Sequence, residues 1–236
     1  MDLTVILPTY NERESIVAIR PRLEAALRPY SCEVIVVDDE SPDGTGEVVR
    51  SMQGNGGWKL VERRGARGLA SAVAEGFRQA QGEVVVVMDA DGSHPPEVIP
   101  ALVEPIRARR ASFTLASRFV AGGSDTALVG IRRLISWGAA LLARPLTPVH
   151  DPMSGFFAVR RDVVDHAALH PVGYKIALEV MVRCRPRPLL EVPFAFQARI
   201  AGESKLGAKQ IAGYVGHLGR LYGWRFASLG RASSTR

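Results

Sequence analysis

The stretch Glu83-Val84-Val85-Val86-Val87-Met88 constrains this chain more than any other. Four valines with no polar alternation predict a strand covered on both faces, the condition of a parallel sheet between helical layers. Strand and helix periodicities alternate before it. Leu3–Leu7 and Glu33–Val37 are apolar strands and Trp58–Glu62 a shorter one. Helix is expected from about Glu12 through Ile16, Ile19, Leu23 and Leu27, over Gly46–Met52 and over Ala70–Gln81. Asn11 is the expected cap of the first helix, because its side chain can accept from the free amides of the first turn. Downstream the pattern loosens. Pro96–Arg109 and Ile131–Ala143 read as helices, and Ser112–Ala116 and Val192–Phe196 as strands. From Lys209 to Ala227, Ile211, Tyr214, Val215, Leu218 and Tyr222 share one helical face. Gly213, Gly216, Gly219 and Gly223 weaken that helix by about 1 kcal/mol each relative to alanine, so it should lean on a partner surface. The expected architecture is one α/β domain over residues 1–229, an open and mostly parallel sheet flanked by helices. Residues 1–106 form one half, 107–208 the other and 209–229 an amphipathic terminal helix, with a frayed tail at 230–236.

With 236 residues, 47% apolar and 23% charged, the chain can bury a core without disulfides or metal, and disorder is excluded. Cys32 and Cys184 stand alone, which suggests a reducing compartment and core thiols. No secretory leader is expected from the first residues. The longest central uncharged run, Leu134–Ala143, falls well short of the roughly 20 residues a spanning helix needs. Charge divides unevenly: 10 basic and 17 acidic side chains in 1–106, against 20 and 7 in 107–236. An acidic half suited to a cation thus precedes a basic half suited to an anion. Aromatics make up 7% and do not interleave with the arginines, so a nucleic-acid partner is disfavoured.

Two carboxylates follow the valine strand, Asp89 and Asp91. In extended backbone residues i and i+2 share a side, and open α/β sheets bind ligands at the carboxyl ends of their strands. Such a pair suits Mg²⁺ or Mn²⁺ bridged by diphosphate oxygens; the alternative is a turn with two solvated aspartates. Asp38 and Asp39 end a neighbouring strand. They can accept from a nucleobase or ribose, or else form an Asx-turn. Tyr10 and Glu12 close the first strand on the same edge. Asp151 can orient a sugar hydroxyl or simply cap a turn, and His94 and His150 read as structural.

These segments carry a resemblance. Pro8-Thr9-Tyr10-Asn11-Glu12, the stretch from Val36 to Thr45, and Met88 to Pro96 are similar to motifs of family-2 glycosyltransferases of the GT-A fold. Ser117-Arg118-Phe119, Arg132-Arg133, Asp151 to Phe156, Gly173 to Ile176, and Arg199 with Gly202-Glu203-Ser204-Lys205 resemble the polyprenyl-phosphate (dolichol-phosphate) mannose synthase subgroup. The resemblance covers roughly residues 3 to 225. It implies that Pro8, Tyr10, Glu12, Val37 and Asp39 hold the donor nucleoside. Asp89 and Asp91 hold the metal, with Ala90 and Ser93 alongside. Arg118, Arg132, Arg199 and Lys205 grip donor and acceptor phosphates. Glu40, Ala70 and Ser93 depart from the usual pattern, and only the last bears on a proposed metal ligand.

The implied reaction is inverting transfer of a hexose, with GDP-mannose the favoured donor, to a polyprenyl phosphate. The expected setting is the cytoplasmic face of a membrane, peripheral, on lipid or on a small membrane-embedded partner. A lipid monophosphate is already an anionic nucleophile, so arginine forks matter more than a general base. Rival readings are a UDP-sugar donor, a glycan acceptor, or a subunit that binds nucleotide without turnover.

Overall fold

A computed structural model describes residues 1–53, 57–65, 67–125, 138–170, 173–200 and 208–233, with side chains of the last segment described over 212–228. The strands are β1 (Leu3–Thr9), β2 (Cys32–Asp38), β3 (Trp58–Glu62), β4 (Val84–Val87), β5 (Phe113–Ser117), β6 (Ser124–Asp125), β7 (Phe157–Arg160), β8 (Leu189–Pro193) and β9 (Ala195–Phe196). The helices are α1 (Arg13–Leu27), α2 (Thr45–Met52), α3 (Leu69–Gln79), α4 (Ile99–Arg107), α5 (Ile176–Arg183) and α6 (Ala208–Ser233), with a further helical stretch at 138–143. Seven strands form one sheet in the order β3-β2-β1-β4-β7-β5-β8, and β6 pairs with β9 beside it.

The valine strand behaves as its composition dictates. Val84 and Val86 enter a core layer with Ile16, Ile19 and Leu23 of α1 and Leu102 and Val103 of α4. Val85 and Val87 enter the opposite layer with Val73 and Phe77 of α3, Leu178 of α5 and Leu218 of α6. Each face is a separate apolar cluster, so polar alternation has no place along β4.

Only β7 runs against its neighbours in the main sheet, pairing antiparallel with β4 (Val87↔Phe157, Val84↔Arg160) and with β5. The sequence reading had no strand there and no helix at α5. The expected strand Val192–Phe196 also divides: β8 stops at Pro193, Phe194 turns, and β9 joins the small sheet. Helices α5 and α6, on one side of the sheet, are tied by a buried carboxylate. Glu179 of α5 accepts from His217 Nε2 of α6 at 2.6 Å and pairs with Arg183 at 2.5 Å.

Asn11 does not cap α1. It sits at φ 60, and the caps come from the loop after β2 and the first residue of α2 instead: Asp43 Oδ2 accepts from the Arg13 amide at 3.0 Å and Thr45 Oγ1 from the Glu12 amide at 3.0 Å. The first helix is thereby stapled to the second strand's exit, which fixes two walls of the cleft relative to each other.

Candidate active site

Strands β1, β2, β4 and β5 all end on one edge, and the residues expected to act follow them. The register pairs Pro8 with Val37 and Thr9 with Asp38, so the exits of β1 and β2 lie level. Asp38 is not available to a ligand. It is 1% exposed, and its carboxylate accepts from Thr9 Oγ1 (2.8 Å), Ser41 Oγ (2.6 Å) and the Ser41 amide (2.9 Å). Those donors are what a buried carboxylate needs; the amide comes from three residues on and α2 takes no side-chain cap from Asp38, so neither an Asx-turn nor a helix cap is formed. Asp39 is oriented by a group that no local sequence signal revealed: Arg63 Nε lies 2.7 Å from Oδ1, and the Gly68 amide donates to Oδ2 at 2.8 Å. Arg67 covers the Tyr10 ring, its guanidinium carbon 4.5 Å from the centroid. Val37 and Ala90 are buried, so they shape the cleft through backbone and packing.

The Asp-x-Asp loop carries the densest electrostatics. Asp91 is 4% exposed; its Oδ1 accepts from the Ser93 amide (2.9 Å) and hydroxyl (2.6 Å), while Oδ2 lies 3.0 Å from Arg199 Nε. Ser93 thus orients Asp91 through both of its donors. Asp89 stays more open, at 31% side-chain exposure. Its amide donates to His94 Nδ1 at 2.9 Å, and His94 stacks on Phe156 with ring centroids 5.0 Å apart. Burial lowers the His94 pKa, so the imidazole is neutral at pH 7 and spends its lone pair on that amide. It is structural, as expected, yet it sets the Asp89 backbone. Glu12 joins the acidic group: burial first, then the nearby Asp91 and Asp89, raise its carboxyl pKa, opposed by Ser15 and Arg199.

The second wall is basic but tightly compensated. Arg118, directly after β5, forks onto Asp151 (Nε–Oδ2 2.7 Å, Nη2–Oδ1 2.8 Å) and reaches Asp125 at 3.2 Å through Nη1. Three of its five N–H groups are engaged, so at most two remain for a phosphate. Asp151, fully buried, serves this arginine instead of a sugar hydroxyl. Lys175, at the start of α5, is the group the sequence reading left without a role. Burial takes its pKa down to about 8, Arg118 pushes the same way, and Asp151 and Asp89 oppose them. Its ammonium also donates to the Met153 carbonyl. The signal that could have found it is a lone lysine in a chain whose cations are almost all arginine. Arg132 and Lys205 lie outside the described residues.

The donor set suits a hard divalent cation. Asp89 and Asp91 offer oxygens, His94 offers nothing, and no group of three ligating side chains is found among the described residues. Water and phosphate oxygens would complete the shell, the usual arrangement for Mg²⁺ or Mn²⁺ held by one or two carboxylates.

Known proteins share this architecture. The glucosyl-3-phosphoglycerate synthase of Mycobacterium tuberculosis, solved with Mn²⁺, uridine diphosphate and phosphoglyceric acid, superposes with a TM-score of 0.67 at 22% identity, over 92% of this chain and 78% of that one. The fold is therefore the expected GT-A type, a mostly parallel sheet flanked by helices. Residues 4–167 match the Glycosyl transferase family 2 model. The dolichol-phosphate mannosyltransferase of Pyrococcus furiosus is 43% identical over 228 residues, 95% of this chain; the chain spans 64% of that relative's length. The protein of the same name from Saccharomyces cerevisiae is 39% identical over 241 residues, covering 97% of this chain and 90% of the yeast protein. The chain belongs to glycosyl transferase family 2.

Proposed function

We propose that the protein transfers mannose from GDP-mannose to a polyprenyl phosphate with inversion at the anomeric carbon. The observation that carries this reading is the meeting of Asp89, Asp91 and Arg199 where β1, β2 and β4 end, in a chain so similar to dolichol-phosphate mannosyltransferases. Tyr10, Glu12 and Asp39 line the nucleoside side, with Pro8, Val37 and Ala90 shaping its floor. Asp89 and Asp91 hold Mg²⁺ or Mn²⁺, which when bound neutralises charge on the departing diphosphate. Arg199 and Lys175 supply positive charge to the phosphates, with Arg132 and Lys205 of the basic half in support. Arg118 contributes its two remaining N–H groups and holds Asp151 in place. The acceptor phosphate arrives as an anion, so these residues need to position it and not to deprotonate it.

The test is incubation with labelled GDP-mannose, polyprenyl phosphate and Mn²⁺, with labelled UDP-glucose in a parallel arm. Lipid-extractable label from GDP-mannose is expected; label only from the UDP sugar overturns the donor, and none from either overturns the function.

Lys175 gives a pH signature. Its ammonium binds phosphate only while protonated, so GDP affinity should fall as pH rises through about 8, by up to about tenfold per unit. Calorimetric titration from pH 7 to 9 should show this decline, and Lys175→Met should flatten it.

The surface of α6 supports membrane contact. No helix among the described residues is long and apolar enough to cross a membrane. Val215 and Phe226 are nonetheless 56% and 69% exposed on one face of α6, and Leu141 and Leu142 are exposed on the stretch beside it. The two are tied together by Tyr214 and Tyr222, whose hydroxyls donate to the Ala139 and Leu142 carbonyls at 2.7 Å. Gly213, Gly216, Gly219 and Gly223 face open space, so nothing inside the described chain requires their small size. α6 contains no acidic residue, and Arg220 and Arg225 lie along it. This face would rest on an anionic lipid surface. Flotation with anionic liposomes at low salt should carry the protein upward, and Phe226→Glu should reduce it severalfold; unchanged flotation of that variant removes this face from the contact.

A further inference from the structure

One of the two carboxylates assigned to the metal already has a cationic partner within the chain. Asp91 Oδ2 lies 3.0 Å from Arg199 Nε, while Oδ1 is occupied by both donors of Ser93. Oδ2 is thus the oxygen open to a cation, and Arg199 stands on it. The position of Arg199 is set by backbone. The Ile200 amide donates to the Asp91 carbonyl at 2.9 Å and the Gln197 amide to the Ser93 carbonyl at 3.1 Å, so two bonds to the Asp-x-Asp loop bracket Arg199. Ile200 also closes over Gly92, which sits at φ +82; a Cβ there would fall 2.5 Å from Ile200 Cδ1. The segment carrying Arg199 is therefore docked on the loop by contacts that do not involve the guanidinium. Arg199 itself is 37% exposed, against 5% for Asp91, so it can turn outward while its backbone stays in place.

We propose that Arg199 is a stand-in cation for the metal: it leaves Asp91 Oδ2 when a divalent ion binds there and passes to the diphosphate of the donor. This rests on the function proposed above. A dication and a guanidinium sharing one carboxylate oxygen repel each other strongly in a partly buried cleft. The released guanidinium finds its best alternative on phosphate oxygens, which it binds as a planar fork. Metal arriving alone must displace Arg199 before any phosphate is present to receive it. Nucleotide arriving alone faces Glu12, Asp89 and Asp91 with the arginine still engaged. Each ligand then strengthens the other, and the coupling is reciprocal. The arginine also keeps the buried Asp91 charge compensated in the resting state, so the loop holds its shape before either ligand arrives.

The experiment is titration with Mn²⁺, free ion read by electron paramagnetic resonance, with and without saturating GDP. The proteins are the wild type, Arg199→Ala, Arg199→Gln and Arg199→Lys, each checked for a cooperative melt. Without GDP, the Ala and Gln variants should bind Mn²⁺ about tenfold tighter than the wild type, because nothing need be displaced. With GDP that advantage should vanish or reverse, because the diphosphate has lost its guanidinium. Arg199→Lys should retain part of the wild-type coupling. Ala and Gln variants that bind Mn²⁺ no tighter without GDP overturn the exchange while leaving the metal site standing. A wild type that takes up no Mn²⁺ even with GDP overturns the metal assignment, and the exchange with it.

Discussion

Asparagine in place of Asp91 is expected to lower sugar transfer by at least about 10³-fold while shifting the melting temperature by only a few degrees. On the metal assignment proposed above, the catalytic loss would follow from removing one of two anionic oxygen donors to a Lewis acid whose contribution to the barrier is several kcal/mol. The small change in stability follows from the contacts. Asparagine Oδ1 can still accept from the Ser93 amide and hydroxyl, so no buried donor is orphaned. Arg199 loses its partner, but it is exposed enough for water to take over. Alanine is the less informative substitution, since it strands the buried Ser93 amide. Activity within tenfold of the wild type at saturating Mn²⁺ would remove Asp91 from the metal site.

Asp151→Ala should do the opposite: a large loss of stability. Asp151 is fully buried and takes two arms of Arg118 and its backbone amide, while Arg118 is itself 7% exposed. Bonds to Asp151 and the charges of Asp151 and Asp125 keep the guanidinium charged despite burial. Removing one partner of such a pair leaves an uncompensated charge, at about 3–5 kcal/mol. At roughly 2–4 °C per kcal/mol for a domain of this size, the melting temperature should fall by about 10 °C. A drop of only a degree or two by differential scanning calorimetry would mean that Asp125 alone suffices, or that water reaches the pair.

The half of the site built from strand exits was legible in the sequence, and for a physical reason. Asp89, Asp91, Tyr10, Glu12 and Asp39 follow apolar runs whose parallel pairing is dictated by burial on both faces, so their convergence needs only the strand ends to be level. The other half was not. Phe157–Arg160 is too short to announce itself by periodicity, and only its ladder with β4 makes it a strand. Arg63 reaches Asp39 from 24 positions away, and Lys175 reaches the cleft from the head of a helix with no cap signature. Arg118 illustrates a different limit: its residue type was informative, but its availability depended on two distant aspartates. Asn11 does not cap because Asp43 and Thr45, from the loop before α2 and the start of α2, supply the acceptors.

The reversed strand has one more consequence. Parallel strands deliver their exits to the cleft, whereas β7 delivers its entrance, so the segment from Asp151 to Phe156 arrives beside the carboxylates from the opposite chain direction. Val87 pairs with Phe157, which sets Asp89 two residues past the pairing and Gly155 two residues before it. A Cβ on Gly155 would stand only 3.9 Å from Asp89 Oδ1. The approach of the Asp151–Phe156 segment to the Asp-x-Asp loop is thus gauged by main-chain ladder rungs.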